Sequence, residues 1–123
     1  MVTLTEHRPV RRPVVYGYLR LAGVSLTRGT VLAVALADYC RSHELRLSGL
    51  FTERGGPASG SPAFSGLLDV LDLPGAYGVV LPNAFHLGPR STAAEHERQI
   101  RKTGARLLMV RPHHRTPVAG IPN

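Results

Sequence analysis

The sequence has little cysteine, little acidic charge and no long apolar run, and these shortages exclude several classes of protein. A single cysteine, Cys40, excludes an internal disulfide and a zinc site built from clustered cysteines. No stretch approaches the about 18 uninterrupted apolar residues of a membrane-spanning helix. The N-terminal MVTLTEHRPVRRP is not followed by the apolar segment of a signal peptide. We therefore expect a cytoplasmic protein with no membrane contact.

The composition is that of one modest globular domain. The 123 residues are 43% hydrophobic and 19% charged. The net charge is +7, and the segments 1–13 and 111–123 carry +2 each. We expect a basic flexible N-terminal arm over 1–13, a single domain over 14–110, and a tail rich in Pro, His and Arg over 111–123.

The surplus positive charge has two interpretations. Basic ends favour contact with nucleic acid or another acidic partner. However, 14 of the 15 basic residues are Arg, with Lys102 as the exception. Together with abundant Ala, Gly and Pro, this is also typical of a GC-rich genome. We give codon bias and solubility more weight than nucleic-acid binding.

Strand and helix patterns alternate along the domain. Strands are predicted over 14–21, 45–51, 77–81 and 106–110, and helices over 30–43, 62–72 and about 91–103, the last capped by Ser91 and ended by Gly104. The order predicts an α/β fold: a single-domain three-layer sandwich around a mainly parallel four-stranded sheet. Ligands of such folds bind at the carboxyl ends of the strands, which here are the predicted loops 22–28, 52–61 and 82–90.

Several motifs in order resemble the N-terminal catalytic domain of the serine recombinases, the resolvase/invertase family. They are GYLR at 17–20 against the family's GYxRVS, FTE at 51–53 followed by SG at 59–60, the helix 64–71, YGVVLPNAFHL at 77–87 against D-x-V-V-V-x-x-x-D-R-L, and GARL at 104–107. The resemblance spans about 14–110. It implies the strand order 2-1-3-4 and a site that cleaves and joins DNA.

The chain departs from this family at the positions that carry its chemistry. The resemblance implies a nucleophilic serine two residues after Arg20, where this chain has Ala22. Alanine has no oxygen, so no covalent phosphoseryl link can form there. Ser25 is three residues further on, too far for a geometry that tolerates little displacement.

The family's D-R-L-x-R signature is altered in the same way. Phe85 stands at the aspartate, His86 at the first arginine and Pro89 at the second, with Arg90 one place later. The arginine that the resemblance implies at the start of the second helix falls near Pro62. Because the nucleophile, a carboxylate and arginines are lost together, we predict that the chain is not an enzyme.

Other candidate sites are weaker. His96-Glu97 begins a zincin-type motif, but Ile100 stands where its second histidine belongs. His86 with His113 and His114 is too unspecific to predict a metal. The loop GGPASG lacks the G-K-[ST] ending of a phosphate-binding loop. We predict no metal and no cofactor.

The sequence leaves one candidate binding surface, at the edge where the resemblance implies the active site. Its residues are Arg20, Arg28, Glu53, Asn83, Phe85, His86 and Arg90. The first hypothesis is a catalytically inactive regulatory or assembly protein that uses this edge for a protein partner or for self-association. The alternatives are an auxiliary, sequence-nonspecific DNA-binding protein that uses the basic ends, and a small-ligand-binding domain or residual enzyme. Without a helix–turn–helix in the sequence, we expect no sequence-specific DNA recognition.

Two side chains of this surface have competing predictions. Arg20 ends a buried strand, where it either pairs with Glu53 or binds a ligand, and we favour the pairing. Phe85 is either an exposed interface anchor or a core residue that fills the space of the lost catalytic groups. Cys40, Tyr16 and Tyr18 are predicted to pack in the core.

Overall fold

The computed structural model describes residues 12–55 and 61–111, so most of the expected arm and tail lies outside the described residues. The elements are β1 (Val14–Arg20), α1 (Leu26–Ser42), β2 (Arg46–Glu53), α2 (Pro62–Leu71), β3 (Ala76–Leu81), a 3₁₀ helix (Ala84–Leu87), α3 (Arg90–Lys102) and β4 (Arg106–Met109). None of the helices in the described part of the chain is long and apolar enough to cross a membrane.

The four strands form one parallel sheet in the order β2-β1-β3-β4. This confirms both the predicted α/β class and the predicted strand order. The two central strands carry β-branched and aromatic residues in a nearly continuous apolar run, because helices cover both of their faces.

Two apolar layers hold the helices to the sheet. On one face, α2 and α3 pack over a core that includes Tyr18, Phe64, Leu67 and Ile100. On the other face, α1 packs over a core that includes Leu19, Leu36 and Cys40. Tyr16 packs against the first layer and contacts Phe51, with ring centroids 6.3 Å apart. The predicted three-layer sandwich and the predicted packing of Cys40 and both tyrosines are confirmed.

A β-bulge in β2 changes which layer its side chains reach. The register pairs Val15 with Leu47 but Tyr16 with Gly49, which leaves Ser48 as the extra residue. Strict alternation would place Leu47 and Phe51 on the same face of the sheet. The bulge separates them, so Leu47 packs beneath α1 and Phe51 packs beside α2.

The first helix begins earlier than predicted. The sequence pattern predicts a helix that begins at residue 30, but α1 begins at Leu26 because the Ser25 hydroxyl accepts a hydrogen bond from the Arg28 amide at 3.1 Å. Gly29, which suggested a turn, lies inside the helix and is buried. An ideal Cβ there would lie 3.3 Å from Leu21 Cδ1, so the glycine permits close packing.

Three further boundaries differ from the prediction. β2 continues to Glu53 and occupies the start of the predicted loop 52–61, and the predicted loop 82–90 contains the 3₁₀ helix. The predicted cap Ser91 is wrong, because Pro89 is the N-cap of α3 and its carbonyl accepts hydrogen bonds from the amides of Thr92 and Ala93. The predicted end of α3 is confirmed, since Gly104 has a φ of 90°.

We expect Gly78→Ala to destabilise the sheet. An ideal Cβ on Gly78 would lie 2.5 Å from the backbone oxygen of Arg106, and a backbone atom inside a sheet cannot move aside cheaply. The cost should be about 1–3 kcal/mol, the usual range for overpacking, measured by urea denaturation. Gly49→Ala is the matched control, because its Cβ would meet the Tyr16 side chain at 3.3 Å. If Gly78→Ala costs no more than this control, the close approach of β3 and β4 is wrong.

Candidate functional site

The carboxyl ends of β1 and β2 lie side by side and gather positive charge. The register pairs Arg20 with Glu53, and the Leu21 amide donates to the Glu53 carbonyl at 2.7 Å. Arg28 lies in the first turn of α1. An ideal Cβ at Gly29 would lie 3.7 Å from a guanidinium nitrogen of Arg54, so Arg54 lies against the start of the same helix. Three arginines therefore surround this edge.

His86 is tied to the end of β1 by its ring. The Arg20 backbone N–H donates a hydrogen bond to His86 Nδ1 at 2.9 Å, and the residue is 9% exposed. Burial lowers the pKa of His86, and the positive charges of Arg20 and Arg28 lower it further. Because Nδ1 is the acceptor, the neutral imidazole carries its proton on Nε2. The structure therefore brings together Arg20, Arg28 and His86.

The predicted ion pair between Arg20 and Glu53 is not formed, so this prediction is wrong. Glu53 Oε1 accepts a hydrogen bond from the Ser61 hydroxyl at 2.5 Å, and Oε2 accepts one from the Gly55 amide at 3.0 Å. The Ser61 hydrogen bond is the main cause that holds the pKa of Glu53 below its usual value, and Arg20 contributes through its charge. Since β2 extends to Glu53, the carboxylate reaches the start of α2. There it accepts hydrogen bonds from the Ser61 hydroxyl and a backbone amide instead of pairing with Arg20.

The edge also contains Ser61, Tyr18 and Arg54, which are not among the site residues predicted from the sequence. Ser61 is the N-cap of α2, and its hydroxyl accepts from the Phe64 amide at 3.1 Å while it donates to Glu53. It also interacts with Tyr18, whose pKa is raised by burial. The signal was present, because a serine directly before a proline at the first turn of a helix is a common cap.

The 3₁₀ helix presents Phe85 to solvent. Asn83 Oδ1 accepts from the Phe85 amide at 2.9 Å, so the candidate Asn83 acts first as the cap of this helix. Phe85 is 72% exposed. The prediction that Phe85 folds inward is therefore wrong, and exposure agrees with its alternative, the interface anchor.

A second histidine fixes the other side of the 3₁₀ helix. His96 Nδ1 lies 2.7 Å from the carbonyl oxygen of Leu87, which makes Nδ1 the donor, and its ring stacks on Phe64 with centroids 4.2 Å apart. Arg90 is exposed at the start of α3, and no hydrogen bond or ion pair links it to the other candidates within 12–55 and 61–111. The same ranges contain no group of three residues that could hold a metal ion, and His113 and His114 lie outside them.

Neither Ala22 nor Ser25, which follow β1, provides a free hydroxyl group at the end of the strand. Ala22 is the second residue after β1 and is half-buried. The Ser25 hydroxyl is occupied as the N-cap of α1. The edge therefore combines arginines, a neutral histidine and an exposed phenylalanine with a serine and a carboxylate that bind each other.

Solved structures with a similar architecture include catalytic domains of serine recombinases. The C-terminal catalytic domain of ISC1926 TnpA, an IS607-like serine recombinase, matches with a TM-score of 0.67 and 12% identity over 82% of this chain and 72% of that one. The N-terminal catalytic domain of TP901-1 integrase matches with a TM-score of 0.64 and 17% identity over 79% and 76%. A serine recombinase from Sulfolobus solfataricus matches with a TM-score of 0.57 and 18% identity over 87% and 74%.

No protein-family model and no curated protein sequence matches the chain. The similarity to the solved structures, at identities of 12–18%, concerns the fold. The chain therefore has the fold of a serine recombinase catalytic domain, which confirms the fold implied by the resemblance.

We expect the stability of the protein to fall on acidification below about pH 6.5, the usual pKa of an unfolded histidine. His86 has a lower pKa when folded, so below that pH the unfolded chain binds more protons than the native one. One such proton gives a slope of at most about 1.4 kcal/mol per pH unit.

His86→Asn is the variant that isolates this effect, because an amide oxygen takes the place of Nδ1 and does not titrate. The free energy of unfolding should be measured by urea denaturation from about pH 5.5 to about pH 7.5, on both sides of the usual histidine pKa. It should depend less steeply on pH in the variant than in the wild type. Equal slopes for the variant and the wild type would reject a buried neutral His86.

Proposed function

We propose that this chain is a catalytically inactive domain of serine recombinase fold that acts as a regulatory or assembly protein. Its partner is another protein or a second copy of the chain, and it binds at the edge formed by the ends of β1 and β2 and by the 3₁₀ helix. The observation that carries the proposal is the exposed Phe85, at the position where the resemblance implies a catalytic aspartate.

The lack of catalysis is supported by the groups that occupy the edge. Ala22 has no oxygen at the position implied for the nucleophile. The hydroxyls of Ser25 and Ser61 both cap helices, and the carboxylate beside Ser61 has a lowered pKa, which makes it a weak base. His86 presents Nδ1 to a backbone amide, so it does not supply the positive charge of the arginine implied there.

A protein partner is supported by the mixture of apolar and cationic side chains. Phe85 and Leu26 are the two most exposed large apolar residues of the described chain, at 72% and 74%. Both lie at this edge, near Arg20 and Arg28. An exposed aromatic beside arginines is typical of the residues that contribute most to protein interfaces.

Nucleic-acid binding is the second candidate, and the charge favours it. Arg20, Arg28 and Arg54 form a cationic group that a phosphate backbone would also fit, in a chain of net charge +7. Such binding would be sequence-blind and strongly dependent on salt.

We expect the protein to form no covalent adduct with DNA. Incubated with supercoiled DNA and analysed on a denaturing gel, the wild-type chain should leave the DNA free of attached protein, because Ala22 has no oxygen and the Ser25 hydroxyl caps α1. An active serine recombinase run in parallel is the positive control. An adduct that disappears in Ser25→Ala would contradict the proposal and would identify Ser25 as the nucleophile.

We expect Phe85→Ala to weaken partner binding without loss of stability. The side chain is 72% exposed, so the melting temperature should hardly change. A partner captured from the native host by the wild-type chain should be lost with Phe85→Ala and kept with Leu73→Ala. Leu73 is the matched control because it is also exposed, at the end of α2 that is remote from this edge.

Two results would contradict this account. A core-like loss of about 3–5 kcal/mol in Phe85→Ala would mean that the ring is buried. Equal retention of the partner by wild type and Phe85→Ala would place the interface elsewhere.

A further inference from the structure

The outer face of α1 carries no charge between Arg28 and Asp38. Gly29–Ala37, GTVLAVALA, is a run of nine residues without charge. One side of the helix is buried against the sheet through Leu36 and Cys40. The opposite side exposes Val31 and Val34, at 55% and 52%, together with the neighbouring Thr27 and Thr30. A helix that exposes valines on the side opposite its buried stripe departs from the usual amphipathic pattern, in which that side is charged or polar.

The other helices of the described chain do not share this property. The exposed side of α3 carries the ion pairs Glu95–Arg98 and Glu97–Arg101, and α2 exposes Ser65 and Asp69. A low charge on exposed helix surfaces is therefore not general in this protein. The apolar outer face belongs to α1 and indicates a surface that another molecule covers.

We propose that a second copy of this chain covers the outer face, with the two α1 helices antiparallel about a two-fold axis that passes between Val31 and Val34. Under this symmetry the face meets itself, and Val31 of one copy lies against Val34 of the other. The contact removes both valines from water. It lies on the outside of the sandwich and extends beyond the function proposed for the edge.

The charges at the two ends of the valine pair select the antiparallel arrangement. Asp38 follows Val34 by four residues, and Thr27 precedes Val31 by four. The symmetry therefore places Asp38 of one copy opposite Thr27 and beside Arg28 of the other. The first turn of α1 contains no acidic residue, so the positive end of its helix dipole receives this carboxylate. A parallel pair would instead bring Asp38 against Asp38.

Asp38 is available for this contact. Its partner within the chain is Arg41, three residues on, and both side chains are largely exposed. Exposed pairs of this kind contribute little to stability, so exchange of the partner costs little. Because one helix face per copy buries less than about 1,200 Å², the dimer should be weak and should dissociate on dilution.

Analytical ultracentrifugation of the full chain, from micromolar to millimolar concentration, tests the proposal. We expect a reversible monomer–dimer equilibrium that Val34→Lys abolishes, and Val31→Lys should act in the same way. At dilutions where the wild type is monomeric, neither change should lower the melting temperature, since both side chains are exposed. Leu73→Lys is the matched control, an exposed apolar residue outside this face, and should leave the dimer intact.

A charge exchange tests the arrangement itself. Asp38→Arg should weaken the dimer by about tenfold, because it places like charges together, and the double variant Arg28→Asp with Asp38→Arg should restore it. A chain that is monomeric throughout, or a dimer that persists in Val34→Lys, overturns the proposal. A melting temperature of Val34→Lys that is lowered even at a dilution where the wild type is monomeric also overturns it, because the face would then be covered by the chain itself. Failure of the double variant to restore the dimer overturns the antiparallel arrangement.

Phe85→Ala separates this proposal from the function proposed for the edge. The residue lies on the 3₁₀ helix, away from the α1 contact, so the dimer through α1 should persist in Phe85→Ala. Loss of dimerisation in Phe85→Ala but not in Val34→Lys would move self-association to the edge and reject the α1 face.

Discussion

The hydrogen bond from the Arg20 amide to Nδ1 of His86 is the contact on which the arrangement of the edge depends. It joins the end of the central strand β1 to the 3₁₀ helix across 66 residues of sequence. The bond requires a neutral imidazole, and burial together with the charges of Arg20 and Arg28 favours that form. His96 holds the same 3₁₀ helix from α3 through the Leu87 carbonyl. The two histidines hold the short helix, and its Phe85 side chain is exposed to water.

The electrostatics of the edge follow from the same geometry. Glu53 accepts hydrogen bonds from Ser61 and the Gly55 amide, so it interacts with Arg20 through its charge and not through a direct ion pair. Within residues 12–55 and 61–111, the ion pairs lie on α1 and α3, which leaves the guanidinium groups of Arg20 and Arg28 without one. An edge with free cations and an exposed aromatic ring supports the proposal of a binding surface. The hydrogen bonds that join Ser61 and Glu53 to each other and to backbone amides support the proposal that the edge does not catalyse a reaction.

Much of the fold could be predicted from the sequence because its signals are local. The β-branched runs of the strands, the apolar residues Phe64, Leu67 and Leu71 of α2, and the helix-ending Gly104 are signals that each span only a few residues. The predictions from sequence were wrong where contacts between distant parts of the chain decide the local conformation. Gly29 is typical of a turn, but it lies in α1, where it permits close contact with Leu21. The bulge at Ser48 places Phe51 on the opposite face of the sheet from the one that strict alternation predicts. The motifs predicted which loops form the edge. They did not predict that Glu53 binds Ser61 rather than Arg20, because this depends on the residue at which β2 ends, and the sequence pattern does not specify that residue.

Hydrogen–deuterium exchange of the chain, alone and with the partner captured from its host, tests the central claim most directly. The claim is that the edge shared with the recombinase fold is a binding surface for protein. It predicts that the partner slows exchange of the amides at the end of β1, in the first turn of α1 and in the 3₁₀ helix, including those of Arg20 and His86. Unchanged exchange at these amides, with protection confined to other parts of the chain, would contradict it.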